Sequence, residues 1–175
     1  MKEVEVKILE VDRDRIEAVL ANRGAKKVFD GNIQTMLFDF KDGSIVKGKD
    51  VLRLRKEGER VELTYKKVKF TKKAKVAEEY SVRVSNLETT KEILENLDLT
   101  VIENILKHRT SYVLDHVRFD IDRYLEDFEH IPEFMEIEAE NIEVIHKYAG
   151  LLGFSPEKCL PWSTQDVINY YNKKA

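Results

Sequence analysis

The sequence has little cysteine, proline and glycine, and it has no long apolar run. Its 175 residues include one cysteine, three prolines and seven glycines. The single cysteine, Cys159, excludes an intramolecular disulfide and a thiolate metal cluster, so we expect a reducing, cytoplasmic environment. No apolar stretch approaches the roughly 20 residues that a membrane-spanning helix needs, and the first residues predict no signal peptide. We therefore expect no membrane contact.

The sequence also lacks an excess of positive charge. Lysine and arginine total 30, aspartate and glutamate total 33, and the net charge is −3. Because proteins that bind nucleic acid usually carry a basic surface, we expect no nucleic-acid partner. Charged residues still make up 36% of the chain, and hydrophobic residues make up 42%. This composition predicts one globular domain over residues 1–175, with an unusually large amount of charge to place.

No linker or repeat divides the chain, and its hydrophobic periodicity changes between that of strands and that of helices. Helices are predicted from Asp12 to about Asn22, from Glu88 or Thr89 onward, over residues 141–152 and over residues 165–171. About eight strands account for most of the remaining sequence. The predicted fold class is therefore α+β, with the helices lying between or after the strands.

The first predicted strand alternates charged and apolar residues one for one. Successive side chains of a strand point to opposite faces, so Glu3, Glu5 and Lys7 share one face, about 7 Å apart. The residues at positions 4, 6 and 8 are apolar and share the other face. A half-buried strand with a solvated polar face is the usual meaning of such alternation. This strand therefore indicates a site only if other strands repeat the pattern with complementary charges.

Other strands do repeat the alternation, and their charges are segregated by sign. A sheet with its charged face in water would tend to mix both signs along each strand. The segregation instead favours a closed eight-stranded antiparallel barrel, with the charged faces inward and the apolar faces outward under the helices. The basic strands carry Arg53 and Arg55, Lys66, and Lys107 and Arg109, and the acidic strands carry Asp120 and Asp122, and Glu136 and Glu138.

The charged interior of such a barrel predicts a ligand. With Lys7 it would hold six cationic side chains against six acidic ones, and buried charges need partners. Arginine and lysine hold phosphate oxygens, whereas clustered carboxylates hold Mg²⁺ or Mn²⁺. The predicted ligand is therefore a complex of a divalent metal with a polyphosphate.

The same residues resemble a known family, the CYTH domain or triphosphate tunnel metalloenzyme family. Glu3, Glu5 and Lys7 match its Glu-x-Glu-x-Lys signature in full, and the likeness extends along essentially the whole chain. The resemblance implies a barrel, or tunnel, with the active site inside it. The other similar segments are Leu52–Arg55, Tyr65–Lys66, Glu79–Tyr80, Lys107–Arg109, Phe119–Asp122, Phe134–Glu138 and Trp162–Thr164, the last of which resembles class IV adenylyl cyclase relatives.

The resemblance implies roles for the charged residues. Lys7 and Glu79 would be catalytic, with Glu79 or a metal-linked carboxylate orienting the attacking water. Asp122 and Glu136 are farther apart in the chain than is common in the family, which leaves open whether Asp120 or Asp122 binds metal. The implied triphosphate-binding residues are Lys7, Arg53, Arg55, Lys66, Lys107 and Arg109, and the implied ligands of one or two Mg²⁺ or Mn²⁺ ions are Glu3, Glu5, Asp120, Asp122, Glu136 and Glu138.

Three functions agree with these residues. The first is hydrolysis of tripolyphosphate, or of a nucleoside or thiamine triphosphate such as ATP or thiamine triphosphate. The second is a class IV adenylyl cyclase, which makes cyclic AMP and pyrophosphate from ATP and needs a purine pocket at one mouth of the tunnel. The third is a polyphosphate or nucleotide sensor without catalysis, against which the complete sets of both charges argue. The oligomeric state, monomer or homodimer, stays open.

Overall fold

The computed structural model describes residues 4–70 and 75–173. The strands are β1 (Val4–Leu9), β2 (Lys26–Phe40), β3 (Val51–Glu57), β4 (Arg60–Phe70), β5 (Lys75–Val84), β6 (Leu99–Leu114), β7 (Val117–Tyr124) and β8 (Phe134–Ala139). The α-helices are α1 (Arg13–Asn22), α2 (Ser44–Lys47), α3 (Leu87–Asn96), α4 (Ile142–Leu151) and α5 (Thr164–Asn172). Short 3₁₀ turns lie at Glu126–Phe128 and Pro156–Lys158.

The eight strands form one antiparallel sheet with flanking helices, as predicted. In hydrogen-bonded order the strands are β1-β8-β7-β6-β2-β3-β4-β5. Within the described residues, this order begins at β1 and ends at β5 without a hydrogen-bonded pairing between those two strands. The antiparallel sheet is therefore confirmed, whereas its closure into a barrel stays a prediction.

The chain divides into two compact units. The described parts of residues 1–31 and 107–175 form the first unit, and the described parts of residues 32–106 form the second unit. Strands β2 and β6 each contribute residues to both units. That residues 1–175 form a single domain therefore stays a prediction.

The core of the first unit lies on the apolar faces of β1, β7 and β8, which α1 and α4 cover. Burying each of these aliphatic or aromatic side chains contributes about 1.5–3 kcal/mol. Because strand side chains alternate, the charged residues of the same three strands lie on the opposite face. The buried residues include Val6, Ile8, Phe119, Ile121 and Ile137 from the strands, Ile16 and Leu20 from α1, and Ile145 from α4.

The second unit has its own core, built by the same alternation. Residues Met36 and Phe38 of β2, Leu54 of β3 and Val61 of β4 are buried. Helix α3 covers them with Leu87 and Leu94. The predicted hairpin of β3 and β4 is confirmed, because Leu54 lies opposite Leu63 and Arg55 lies opposite Glu62.

The long helices begin at polar capping residues. Asp12 caps α1, Asn141 caps α4, and Ser163 caps α5 in a reciprocal capping box with Asp166. Helix α3 begins earlier than predicted, because the side chain of Asn86 accepts a hydrogen bond from the backbone N–H of Thr89. Among the described residues, no helix combines the length and the apolar character that crossing a membrane requires.

The short helix α2 was not predicted, since its sequence reads as a turn. The buried carboxylate of Asp39 accepts hydrogen bonds from the backbone N–H groups of Phe40 (2.7 Å), Ile45 (2.9 Å) and Val46 (3.0 Å). Burial raises the pKa of Asp39, but these backbone hydrogen bonds lower it by more, so that the pKa lies below its usual value. Asp39 therefore holds α2 against the end of β2.

Candidate functional site

One face of the first unit carries most of the predicted site residues. Lys7 of β1 lies opposite Glu136 of β8, which in turn lies opposite Asp120 of β7. On the other side of β7, Asp122 lies opposite Arg109 of β6. Because these residues share the strand parity that faces away from the core, β1, β8, β7 and the end of β6 bring them onto one continuous surface. We call this surface the charged face.

Lys7 lies at the β1 end of the charged face and is 1% exposed. Its Nζ atom lies 3.0 Å from Oε2 of Glu136 and 3.4 Å from Oε1 of Glu5. The backbone of Lys7 pairs with Leu160, donating from its N–H (2.8 Å) and accepting at its carbonyl oxygen (2.9 Å). Both the backbone and the side chain of Lys7 are therefore held in place.

Arg109, Asp122 and Lys107 form a buried ion-pair group at the other end of the charged face. The Nε and Nη2 atoms of Arg109 donate to the two carboxylate oxygens of Asp122, each over 2.6 Å. Lys107 donates to Oδ2 of Asp122 over 2.7 Å. Burial raises the pKa of Asp122, but Lys107 and Arg109 lower it more, so that the pKa is about 2. Asp122 is therefore ionised at neutral pH.

Asp120 joins this group through two arginines. It is 2% exposed, and its carboxylate accepts hydrogen bonds from Nη1 of Arg109 and from Nε of Arg118. The Nε atom of Arg118 lies 2.9 Å from Oδ1 and 3.1 Å from Oδ2 of Asp120, while its Nη2 donates to Ser111 over 3.1 Å. Arg118 was not predicted as a site residue, although its position two residues before Asp120 places it on the same strand face.

The lowered pKa of Asp122 predicts a pH dependence of stability. Its ordinary value, 3.8, falls to about 2 in the folded state. A depressed carboxylate pKa adds stability above the unfolded-state value, and this stability is lost as the pH falls toward the folded-state value. We therefore expect the free energy of unfolding to fall between about pH 4 and about pH 2.

Urea unfolding at a series of pH values measures this effect, with Asp122→Asn as the comparison. The variant cannot titrate at this position, so its unfolding free energy should fall less steeply over the same range. Equal slopes for the two proteins would contradict the assignment of the lowered pKa to Asp122.

Two further predicted metal ligands, Glu5 and Glu138, lie directly opposite each other on β1 and β8. Like charges placed opposite each other on neighbouring strands repel. Lys7, 3.4 Å from Glu5, offsets part of this repulsion, and a divalent cation between the two carboxylates would offset more. Among the described residues, no three His, Cys, Asp or Glu side chains converge on one point. Mg²⁺ is usually bound by one or two carboxylates together with substrate phosphates, so a pair such as Glu5 and Glu138 fits it. Glu3, another predicted ligand, lies outside the described residues.

The second unit carries the other predicted residues on the face opposite its core. Lys66 and Glu79 lie opposite each other on β4 and β5, with Nζ 2.9 Å from Oε2. Burial raises the pKa of Glu79, but Lys66 and Arg53 lower it more, so that Glu79 is ionised at neutral pH. Arg55 donates to Glu57 over 2.8 Å. Within the described residues, the buried Nε atom of Arg53 has no hydrogen-bond partner.

The structure thus places the predicted residues in two sets, one in each unit. The second unit holds Arg53, Arg55, Lys66 and Glu79 on one face. The set in the first unit comprises Glu5, Lys7, Lys107, Arg109, Asp120, Asp122, Glu136 and Glu138. That both sets act on one ligand stays a prediction.

Comparison with known proteins links the chain to one family and to several relatives. The family model of the CYTH domain matches residues 1–146. A protein of Methanocaldococcus jannaschii, named “putative adenylate cyclase”, is 26% identical over 147 residues, which cover 84% of this chain and 82% of that protein.

Solved structures show the same fold. The PH1012 protein of Pyrococcus horikoshii is 24% identical, with a TM-score of 0.73, covering 95% of this chain and 99% of that one. A Hippeastrum protein, described as a putative adenylyl cyclase with a dominant triphosphatase activity, is 14% identical, with a TM-score of 0.68, covering 97% of this chain and 96% of that one. At these identities the structural likeness shows the fold alone.

Proposed function

Because the chain belongs to the CYTH domain family, we propose that it is a divalent-metal-dependent enzyme that hydrolyses triphosphates. The observation that carries this proposal is the set of buried cations on the charged face. Lys7, Lys107 and Arg109 are 1%, 9% and 6% exposed, and each is paired with a carboxylate. Because these cations already contact carboxylate oxygens, they are positioned to bind other negatively charged oxygens, such as those of a phosphate.

The balance of charge on this face supports the binding of a triphosphate together with a metal. When a phosphate oxygen replaces Glu136 at Lys7, the largely buried carboxylate of Glu136 loses this partner, which is costly. A divalent cation that enters with the triphosphate compensates the released negative charge. The two ligands should therefore bind together more tightly than either binds alone.

We propose Mg²⁺ or Mn²⁺ as this cation, held by Glu5 and Glu138 together with phosphate oxygens. A bound metal would neutralise negative charge on the phosphate oxygens. This pair is proposed because the two carboxylates lie directly opposite each other on β1 and β8.

Different residues of the chain would have different roles in hydrolysis. Lys7, Lys107 and Arg109 would bind the triphosphate and spread the charge that develops on the transferred phosphoryl group. Arg53, Arg55 and Lys66 of the second unit are the further cations proposed for this role. Glu79 is ionised and could accept a hydrogen bond from the attacking water. We propose tripolyphosphate, ATP or thiamine triphosphate as the substrate.

A class IV adenylyl cyclase is the second candidate function. It is favoured by the name of the Methanocaldococcus jannaschii relative, which is 26% identical to this chain. The description of the Hippeastrum protein instead favours triphosphate hydrolysis, although only 14% of its residues are identical. The cyclase uses the ribose hydroxyl as nucleophile, so it additionally requires a site that fixes the purine.

Product analysis tests the proposal and separates it from its alternatives. The protein is incubated with Mg²⁺ or Mn²⁺ and, separately, with tripolyphosphate, ATP and thiamine triphosphate, and the products are resolved by ion-exchange chromatography. We expect phosphate release that stops when the metal is removed by a chelator. Cyclic AMP with pyrophosphate would establish the cyclase, and tight binding without turnover would establish a sensor.

A further inference from the structure

The contacts of Asp120 assign it a role different from metal binding. We infer that Asp120, held by Arg118, is a positioning residue that orients the guanidinium of Arg109 toward the triphosphate. This inference rests on the proposed function. It removes Asp120 from the metal ligands that the sequence leaves open, and it adds Arg118 to the residues that the activity requires.

Arginines take three of the about four acceptor sites of the Asp120 carboxylate. Its Oδ2 atom accepts from both Arg109 and Arg118, and its Oδ1 atom accepts from Arg118 over 2.9 Å. A metal that took either oxygen would remove a charged partner from a carboxylate that is 2% exposed. A metal at the remaining site of Oδ1 would lie beside the positive charge of Arg118, so the arginines disfavour metal binding at either oxygen.

Arg109 gives only some of its N–H donors to the two aspartates. A guanidinium has five N–H groups in one plane. Three of them go to Asp120 and Asp122, through Nη1, Nε and Nη2. One N–H group remains on each terminal nitrogen, and Nη2 lies 3.7 Å from Oε2 of Glu136. The two aspartates thus fix the plane of the guanidinium and leave two donors for phosphate oxygens.

Arg118 also contacts a residue other than Asp120, which holds its guanidinium in place. Its Nη2 donates to Ser111, which is 0% exposed and lies opposite Asp120 on β6. Arg118 is thereby fixed at both ends of its guanidinium. The side chain of Arg118 is 36% exposed, so solvent compensates part of its charge, and its two contacts to Asp120 fix the position of that carboxylate.

Calorimetric titration of variants tests the inference. Asp120→Asn keeps the shape of the side chain but leaves one acceptor oxygen for two arginines. We expect it to weaken binding of tripolyphosphate, measured at saturating Mn²⁺, about tenfold, because a charged hydrogen bond to Arg109 is lost. We expect its affinity for Mn²⁺ alone to stay within about twofold of the wild type. The comparison variant is Glu138→Gln, which removes a proposed metal ligand and should weaken Mn²⁺ binding itself.

Arg118 variants separate positioning from a general loss of structure. Arg118→Gln should weaken tripolyphosphate binding as Asp120→Asn does, and the double variant should be no weaker than either single one, because both act through Arg109. Arg118→Lys, which keeps the charge, should restore part of the affinity.

Two results would overturn the inference while leaving the proposed function intact. One is that Asp120→Asn weakens Mn²⁺ binding as much as Glu138→Gln does, which would make Asp120 a metal ligand. The other is that Asp120→Asn leaves tripolyphosphate affinity unchanged. A wild-type protein that binds neither Mn²⁺ nor tripolyphosphate would overturn the proposed function, and the inference with it.

Discussion

Replacing Lys7 with alanine is expected to lower kcat/KM for tripolyphosphate by about 10²–10³-fold or more. Lys7 is 1% exposed, and its Nζ atom lies within 3.4 Å of both Glu5 and Glu136. No water can substitute fully for an ammonium in such a site, so the charge on the phosphoryl group would be left uncompensated. Initial rates of phosphate release at saturating metal measure the effect.

The matched control is Lys27→Ala, which also removes a lysine of the first unit from a carboxylate. Lys27 lies 2.8 Å from Asp30, but its side chain is 47% exposed. We expect activity close to that of the wild type. Lys7→Met, which fills the same space without a charge, should be as inactive as Lys7→Ala, with its far-UV circular dichroism unchanged. Wild-type activity in either Lys7 variant would contradict the assignment of the charged face as the active site.

Replacing Asp122 with alanine is expected to lower the free energy of unfolding by about 3–5 kcal/mol. Asp122 is fully buried, and its two oxygens accept hydrogen bonds from Arg109 and Lys107 over 2.6–2.7 Å. Without it, two buried cations lie side by side and share fewer negative partners. Urea unfolding at neutral pH, followed by circular dichroism, measures the change.

Asp30→Ala is the control for this stability prediction. It also breaks an ion pair of the first unit, to Lys27 (2.8 Å), and a contact with His108 (3.2 Å), but these side chains are 31–47% exposed. Exposed ion pairs contribute about 0.2–1 kcal/mol, so we expect a change of no more than that size. If both variants lost the same stability, the buried group around Asp122 would not be the stabilising feature that its geometry indicates.

The strands of this fold can be predicted from the sequence because their apolar residues alternate. In β1, β3 and β7 most apolar residues are followed by a charged one, and the structure buries apolar residues such as Val6, Leu54 and Phe119. Capping residues such as Asp12 likewise predict where helices begin. These features depend on residues that are close together in the sequence, so a single sequence is enough to predict them.

Features that depend on distant residues could not be predicted in this way. Helix α2 forms because the carboxylate of Asp39 reaches backbone groups up to seven residues further along the chain. The division of the described residues into two units depends on contacts between segments far apart in the chain. Neither leaves a local pattern in the sequence.

For the site, the sequence predicts which residues share a strand face but not which of them form pairs. Lys7 pairs with Glu136 because β1 and β8 adopt one particular register, which the alternation of either strand does not specify. Arg118 shows the same limit. Its parity places it on the charged face, yet only the register that sets Ser111 opposite Asp120 shows how it is held.

The backbone pairing between Lys7 and Leu160 bears on how the protein can be shortened for expression. The family model ends at residue 146, so a chain cut there would keep every residue that the model matches. It would also lose both hydrogen bonds that Leu160 makes to the backbone of Lys7, and with them the neighbour that Lys7 has on the side of β1 away from β8. An unpaired strand edge invites pairing with other molecules, so such a fragment would tend to aggregate as well as lose the support of its central lysine. Domain boundaries taken from the family alone are therefore too short for this chain.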